Sequence, residues 1–495
     1  MADSVGSPEA QPHFPAGSEE PSPPERTAPR RADALASRER ILAAAAALVG
    51  DRRTSMVEIA AAAGVGRATL YRHFPTRQAL VEAQAQSAFN ESPRANEPSG
   101  RFVTPSLQPP GQLGRSRPLA LEVTHILDEV PPHLIADQLV AETRRIAGVP
   151  VALYIVDLDG SQLVRLAGSE DFPERLDAPP ALGPEIVPEG LPSFYESLAR
   201  RLPRCVAAPL WLRGRVIGLL LCIGQPAGPL EDVAKQGAAA LELANGYTDL
   251  LEATRRHKPT TAAAEVQLHL LPSRIVRITG AQLAGDLQPS YEVGGDWFDF
   301  VENRDGAWLA IADSTGQGPT AAGLGAAALG ALRAARRSGQ DLAQAALTMD
   351  EVIRALGNPD YHITAILARW HAPTATLTWI NCGHHPPLIV SPENALTELE
   401  GPIHPPLGAE RFPTHPQTNR RQLESGDRIL MVTDGIIDRQ VLAGGTFGVE
   451  GIQRALAQAA APTAAATAMA IQQEVTSCWG EPLVDDATLV VLAID

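Results

Sequence analysis

Residues 292–300 read EVGGDWFDF, 312–322 read ADSTGQGPTAA, 432–438 read VTDGIID and 485–492 read DDATLVVL. These stretches carry Asp296, Asp313, Asp434 and the pair Asp485-Asp486. Three of the four sites adjoin an apolar run of strand character, so a carboxylate there projects from the end of a buried strand. A single aspartate in such a place is ordinarily a cap or turn residue. Four at the ends of core strands repel one another unless cations sit between them. The pattern therefore implies a shared metal site, and hard oxygen ligands favour Mg²⁺ or Mn²⁺ over zinc. Two such ions, about 3.5–4 Å apart, lower the pKa of a water between them and clamp a phosphoryl oxygen.

Around these motifs, residues 265–495 alternate strands with two long Ala-rich helices. Upstream, 227–264 reads as a connecting helix, with one long helical pattern over 229–256. Its apolar positions suit either pairing with a second copy or packing on the chain's own sheet. Residues 119–226 begin with a helical pattern (119–146) and continue with the strand-like runs VALYIVDL, CVAAPLWL and GRVIGLLLCIG. The last two are joined by a polar turn at Arg213-Gly214-Arg215, as in a hairpin. Residues 1–32 and 92–118 are rich in Pro, Ser, Gly and Glu without hydrophobic period. They are expected to be a disordered tail and a linker.

Residues 33–91 form a helical block. Ser55 and Glu58 have capping-box spacing, and the short helix after them ends at Gly64, a residue suited to positive φ. A further helix, RATLYRHF, stops before Pro75. Two short helices around a Gly-containing turn form a helix-turn-helix pattern, whose second helix enters the major groove. Ile59, Ala60, Val65 and Leu70 are the expected small core; Arg67, Thr69, Tyr71, Arg72 and His73 are expected to face DNA. Eight arginines stand against five acids between residues 31 and 90, in a chain whose net charge is −16. That local excess is what phosphate contacts need.

The chain has 495 residues, a length suited to about three domains. With 41 basic against 57 acidic residues, it is not a nucleic-acid coat as a whole. No run of about 18 apolar residues suggests a membrane span, and the N-terminus has no apolar signal-peptide core. Cys205, Cys222, Cys382 and Cys478 are widely spaced. They suit buried thiols in a reducing cytoplasm, where the chain is expected to reside without membrane contact.

Three resemblances follow from these stretches. EIAAAAGVGRATLYRHFPTRQALVEA (58–83) resembles the DNA-binding head of TetR-type regulators, although a Pro-rich linker and strands follow it instead of an all-helical ligand domain. The hairpin RCVAAPLWLRGRVIGLLLCIGQ (204–225) is similar to the last hairpin of GAF sensory domains, implying ligand binding or protomer pairing. EVGGDWFDF, ADSTGQGPTAA, NCGHHPPLI (381–389), VTDGIID and DDATLVVL resemble, in order, the SpoIIE/RsbU-like branch of the PPM-type serine/threonine phosphatases. AEVQLHLLP (264–272) is similar to the helix leading into that domain.

The resemblances imply a multidomain chain: an all-α helix-turn-helix head (33–91), an α/β GAF-like sensor (119–226), and an α/β phosphatase (265–495) built as a two-sheet sandwich flanked by helices. They further imply two Mn²⁺ or Mg²⁺ ions. Asp313 would bridge both, Asp296 and the main-chain carbonyl of Ser314 would complete one, and Asp434 and Asp485 would hold the other. Asp299 and Asp486 would orient ligands or waters from behind. Gly316 and Gly318 would allow a close turn before a helix starting near Pro319. The expected reaction is hydrolysis of a phosphoserine or phosphothreonine in a phosphoprotein such as a phosphorylated anti-sigma-factor antagonist, by a protein that binds DNA and forms a homodimer. Gln317 stands where His is common, Asp438 where Glu is usual, and His385 where Asn is commoner; none of these removes an expected ligand. Asp-rich strand ends are also compatible with a DNA-binding regulator whose phosphatase-like domain is a non-catalytic scaffold.

Overall fold

The computed structural model describes residues 40–41, 43–44, 56–66, 69–70, 73–74, 129–288, 294–409, 411–442, 444–477 and 486–495. The expected tail (1–32) and linker (92–118) lie outside these residues. Two compact units divide the chain, 1–114 and 115–495.

In the first unit, α1 (Met56–Ala62) ends where Gly64 adopts φ +62°. The Val65 N–H donates to Ala60 O at 3.0 Å, a bond that satisfies an orphan carbonyl at a left-handed helix end. Helical bonds resume from Leu70 N to Gly66 O (3.1 Å) and from Phe74 N to Leu70 O (2.8 Å). Ile41, Ile59, Ala60, Ala63, Leu70 and Phe74 are buried together, with Val65 half-buried against them. The two helices and the glycine turn between them thus follow the expected pattern.

The second unit opens with α2 (Ile135–Ala147), β1 (Val151–Val156), β2 (Gln162–Gly168), β3 (Arg175–Asp177), β4 (Ala181–Leu182), β5 (Glu185–Ile186), α3 (Leu191–Arg201), β6 (Cys205–Leu212), β7 (Arg215–Ile223) and α4 (Glu231–Asn245). The strands make one antiparallel sheet in the order β3-β2-β1-β7-β5-β4, with β6 also paired to β7. Side chains alternate across it, as a pleated strand requires. Val151, Leu153 and Ile155 pack in a core with α2 and α4, whereas Ala152, Tyr154 and Val156 pack in a core with α3. Arg213 and Gly214 both take positive φ (+49° and +88°) and close the two-residue turn between β6 and β7, the conformation that matches strand twist. Burial raises the Cys205 thiol to about 11 and the Cys222 thiol to about 12, so both stay protonated near neutral pH.

The helix expected over 229–256 is broken. After α4 the chain turns through Gly246–Asp249 and restarts as α5 (Leu250–Arg255). The Leu250 N–H donates to the Thr248 hydroxyl at 3.3 Å, and Leu230, Ala234, Ala238, Leu241 and Leu251 are buried on the chain's own sheet. Most of the apolar stripe of this segment is therefore consumed internally, with Leu243 left exposed.

Next come α6 (Ala262–Leu270), β8 (Ile275–Ile278), β9 (Ala281–Gln288), β10 (Trp297–Asn303), β11 (Gly306–Ser314), α7 (Gly318–Arg337), α8 (Leu342–Ala355), β12 (Ile363–His371), β13 (Thr376–Cys382), β14 (Leu388–Val390), β15 (Leu396–Glu398), β16 (Ile403–His404), β17 (Asn419–Gln422), β18 (Arg428–Val432), α9 (Asp434–Ile437), α10 (Gly448–Gln458), α11 (Ala464–Ser477) and β19 (Ala487–Ile494). One sheet runs β10-β11-β12-β13-β16, with β17 on β13; the other runs β15-β14-β18-β19-β9-β8. Phe298, Phe300, Ile311, Ile366, Met431, Val490 and Leu492 fill the space between the sheets. Helices α7 and α8 cover the outer face of the first sheet, and α10 and α11 that of the second. Leu182 and Val187, which belong to the middle segment, are buried in this last core. The sensor-like and C-terminal segments, expected as separate modules, thus share a core.

The inter-sheet core gives a direct check. Leu492 is fully buried there. Leu492→Ala is expected to lower unfolding free energy by about 2–5 kcal/mol, read as a lower urea midpoint at an unchanged m-value.

Candidate metal-binding site

Four strands end at one place. Asp296 immediately precedes β10, Asp313 is the penultimate residue of β11, Asp434 follows β18 by two positions, and Asp486 immediately precedes β19. Two of these strands belong to each sheet, so the site lies where the layers of the sandwich meet. Asp296 and Asp486 are buried, while Asp313 and Asp434 are half-buried.

Direct bonds tie the two sheets together here. The Thr433 hydroxyl donates to Asp296 Oδ2 at 2.7 Å, and the Thr488 N–H donates to that hydroxyl at 3.0 Å. Asp486 accepts from Gly294 N–H at 3.0 Å and from Asp296 N–H at 3.3 Å. From α6, Gln267 Nε2 donates to Asp296 O at 2.7 Å and to Asp486 Oδ2 at 3.3 Å. Burial, then the charges of Asp313 and Asp486, hold the Asp296 carboxyl well above the usual carboxylate range. The pocket therefore disfavours a further negative charge and suits a cation.

Close backbone approach explains the glycines. A Cβ on Gly294 would lie 2.4 Å from the Asp486 carboxylate, one on Gly295 1.9 Å from Ser314 O, and one on Gly435 1.9 Å from Asp486 O. The Ser314 N–H also donates to Gly295 O at 3.1 Å, so the two loops are laced together and the Ser314 carbonyl faces the Asp296 loop. Gly316 and Gly318 adopt φ +103° and +59°, and Pro319 sits in the first turn of α7, as the motif suggests.

The expected site residues separate into three groups. Asp296, Asp313 and Asp486 interact electrostatically, with Ser314 alongside. Asp434 stands directly after Thr433, the residue bound to Asp296. Asp485 lies outside the described residues. Among the described residues no three acidic, thiol or imidazole groups converge tightly enough to enclose an ion by themselves. The donor set nonetheless fits hard divalent ions, since it consists of carboxylates and a main-chain carbonyl in a pocket already overloaded with negative charge.

Asp299 needs a correction. Its side chain was expected to orient ligands or waters, but Arg333 and Arg336 of α7 each donate to it at 2.8 Å. It points to the helix face because side chains alternate along β10: Trp297 packs under the helices, and Phe298 and Phe300 face the other sheet. Asp299 therefore anchors α7. His384 is also structural: its ring is buried, its pKa is pushed down to about 4 by burial, and Asn381 brackets its main chain with two 2.8 Å bonds. Of the residues expected to face DNA, Thr69 and His73 are half-buried, and Arg67, Tyr71 and Arg72 lie outside the described residues.

Sequence reading missed Gln267 and Thr433. Each had a trace: Gln267 is a polar residue in the apolar run AEVQLHLLP, and Thr433 directly precedes Asp434.

Residues 303–495 match the family model described as Stage II sporulation protein E, and 41–83 match that of bacterial regulatory proteins of the tetR family. Residues 303–495 thus carry a SpoIIE-type domain. The N-terminal segment is a TetR-type helix-turn-helix head. The phosphoserine phosphatase RsbU of Bacillus subtilis is 24% identical over 233 residues, which are 46% of this chain and 68% of RsbU. The RsbU and RsbW domains of a Mycobacterium tuberculosis protein are 24% identical (TM-score 0.39), over 43% of this chain and 61% of that one. The SiaA PP2C domain of Pseudomonas aeruginosa is 20% identical (TM-score 0.40), over 47% of this chain and 94% of that one.

The strand-end site makes two predictions. Gly295→Ala forces its Cβ against Ser314 O and is expected to abolish measurable Mn²⁺ binding in titration calorimetry. Thr433→Val removes the hydroxyl bond to Asp296 while nearly preserving volume, and is expected to weaken Mn²⁺ affinity about 10–100-fold.

Proposed function

We propose that this chain is a metal-dependent phosphatase acting on phosphoserine or phosphothreonine in a protein substrate. The observation that carries the reading is the meeting of Asp296, Asp313 and Asp486 at the ends of strands from both sheets, cross-braced by Thr433. Asp296, Asp313, Asp434, Asp485 and the Ser314 carbonyl would hold two divalent ions, Mn²⁺ or Mg²⁺. Bound ions of this kind supply Lewis-acid charge to a phosphoryl oxygen and acidify water.

The chain's own residues do the positioning. Thr433 fixes one oxygen of Asp296. Asp486 holds the Gly294–Asp296 backbone from behind and so sets where the Asp296 carboxylate points. Asp313, half-buried near the end of β11, adds its charge to that of Asp296. These bonds preorganise the carboxylates before any ligand arrives, which removes reorganisation from the reaction. With these carboxylates committed as ion ligands, the nucleophile in this reading is water, attacking phosphorus directly without a phosphoenzyme.

The middle domain is read as a GAF-like sensor regulating this site, and the head as a DNA-binding module through Arg67, Thr69, Tyr71, Arg72 and His73. RsbU bears the name of a phosphoserine phosphatase, which supports a phosphoserine-containing substrate; within that class the reading here is a phosphorylated anti-sigma-factor antagonist. A homodimer would let two heads meet two half-sites.

Two measurements test the reading. Full-length protein is expected to hydrolyse p-nitrophenyl phosphate only with Mn²⁺ or Mg²⁺, and Asp313→Ala is expected to lower kcat/KM by about 10³-fold or more, on the scale of losing a major electrostatic contribution; equal rates in variant and wild type would refute the assignment. The head is expected to retain duplex DNA in a salt-dependent manner, with retention lost in the Tyr71→Ala, Arg72→Ala double variant.

A further inference from the structure

The middle domain reaches into the C-terminal domain through the β4–β5 hairpin. Leu182 and Val187, on either side of it, are buried among Ile275, Ala284, Leu489 and Val491. Glu185, 4% exposed, divides its carboxylate between two partners. Oε1 accepts from Arg215 Nη1 at 2.5 Å, and Oε2 accepts from the Ile275 N–H at 2.8 Å. Arg215 in turn donates to Glu242 of α4 at 2.7 Å. A middle-domain carboxylate thus caps the first residue of β8 and is itself paired to the helix that closes the middle domain.

A buried charge pair stands next to this cap. Arg274 and Asp286 are 4% and 1% exposed, and Arg274 Nη1 lies 3.7 Å from Asp286 Oδ1, too far for a hydrogen bond. Burial disfavours the charge on both groups; for Arg274 the nearby Asp286 offsets it first and Glu185 second. The Arg274 guanidinium sits 5.3 Å from the Phe298 ring centre. Phe298 is fully buried two residues after Asp296, and a Cβ on neighbouring Gly285 would lie 2.6 Å from its ring. The ring is therefore confined between β9 and Arg274, and it fixes the start of β10.

We propose that Glu185 is a positioning residue for the metal site, supplied by the middle domain: its charge holds Arg274 over Phe298 and so sets the Asp296 loop. The proposal rests on the metal-site reading above. It assigns the middle domain a specific contact through which a change at α4, by way of Glu242 and Arg215, reaches Asp296. No connection through the 246–262 segment is needed for this coupling.

Full-length wild type, Glu185→Gln and the Glu185→Gln, Arg215→Gln double variant test it. The amide introduced by Glu185→Gln still accepts from Ile275 N–H but no longer adds its charge to that of Asp286 beside Arg274. The double variant also removes the charge on Arg215, which compensates for local destabilisation. Three readouts are taken: Mn²⁺ affinity by calorimetry, unfolding midpoint in urea, and amide exchange by peptide. Glu185→Gln is expected to weaken Mn²⁺ binding about 10-fold, as loss of an outer support does, and to speed exchange in 297–303 as well as 275–278. The double variant is expected to regain stability while Mn²⁺ affinity stays low. Restored affinity together with restored stability would make Glu185 merely structural and overturn the proposal. Acceleration confined to 275–278 would overturn it as well, and this readout needs neither metal nor activity. If wild type itself binds no Mn²⁺, the metal-site reading fails, and the exchange pattern alone decides the coupling.

Discussion

Like charge at close quarters governs this molecule. Asp296 is buried beside Asp313 and Asp486, and burial and repulsion together penalise its ionised form. An arrangement so costly persists only when the surroundings over-determine it. Here they do: Thr433 binds one carboxylate oxygen, Asp486 binds the loop backbone, and Gln267 braces both. The glycines at 294, 295 and 435 follow from the same constraint, because any side chain there would push apart the loops that bring the acids together. The sandwich supplies the rest. Its strands enter from two sheets whose shared core of Phe298, Ile311, Met431 and Val490 fixes their relative position.

How legible was this in the amino-acid sequence? The strand-end aspartates were, because an acid beside an apolar strand run is a local pattern. The helix-turn-helix core was as well: Ile59, Ala60 and Leu70 are apolar positions in two short helical stretches, and Gly64 marks the turn. Roles that depend on which face of a strand a residue occupies were not. Asp299 is three residues from Asp296 and looks like part of the same cluster. Strand alternation turns it toward Arg333 and Arg336, which come from a helix more than thirty positions away. Thr433 and Gln267 escaped for a related reason. Their partners are remote in sequence, and a lone hydroxyl or amide announces nothing without the fold.

The break in the 229–256 helix shows a different limit. Periodicity reads through Gly246, since helical apolar spacing continues past it. Tertiary packing decides instead: α4 and α5 both bury their apolar residues on the middle sheet, and a straight helix could not keep Leu241 and Leu251 in that one core. The surface left for a second copy is correspondingly reduced, although Leu243 and Tyr247 remain exposed at the bend.

That break also changes how the middle and C-terminal domains communicate. A rigid rod between two domains transmits rotation. A bent pair of short helices packed on its own sheet does so poorly, and buried contact between the domains is made at the β4–β5 hairpin, beside the bond from Arg277 N–H to Arg213 O and the Arg256–Glu265 pair. The contact joins apolar burial at Leu182 and Val187 with a charge whose partners lie on both sides of the boundary. Apolar burial alone would fuse the domains without conveying information. A buried carboxylate differs, because removing its partner on one side leaves an uncompensated charge on the other. Whatever displaces Arg215 must therefore be felt at Ile275 and Arg274, and the energetic scale of a buried charge is large enough to bias a site already held against its own repulsion.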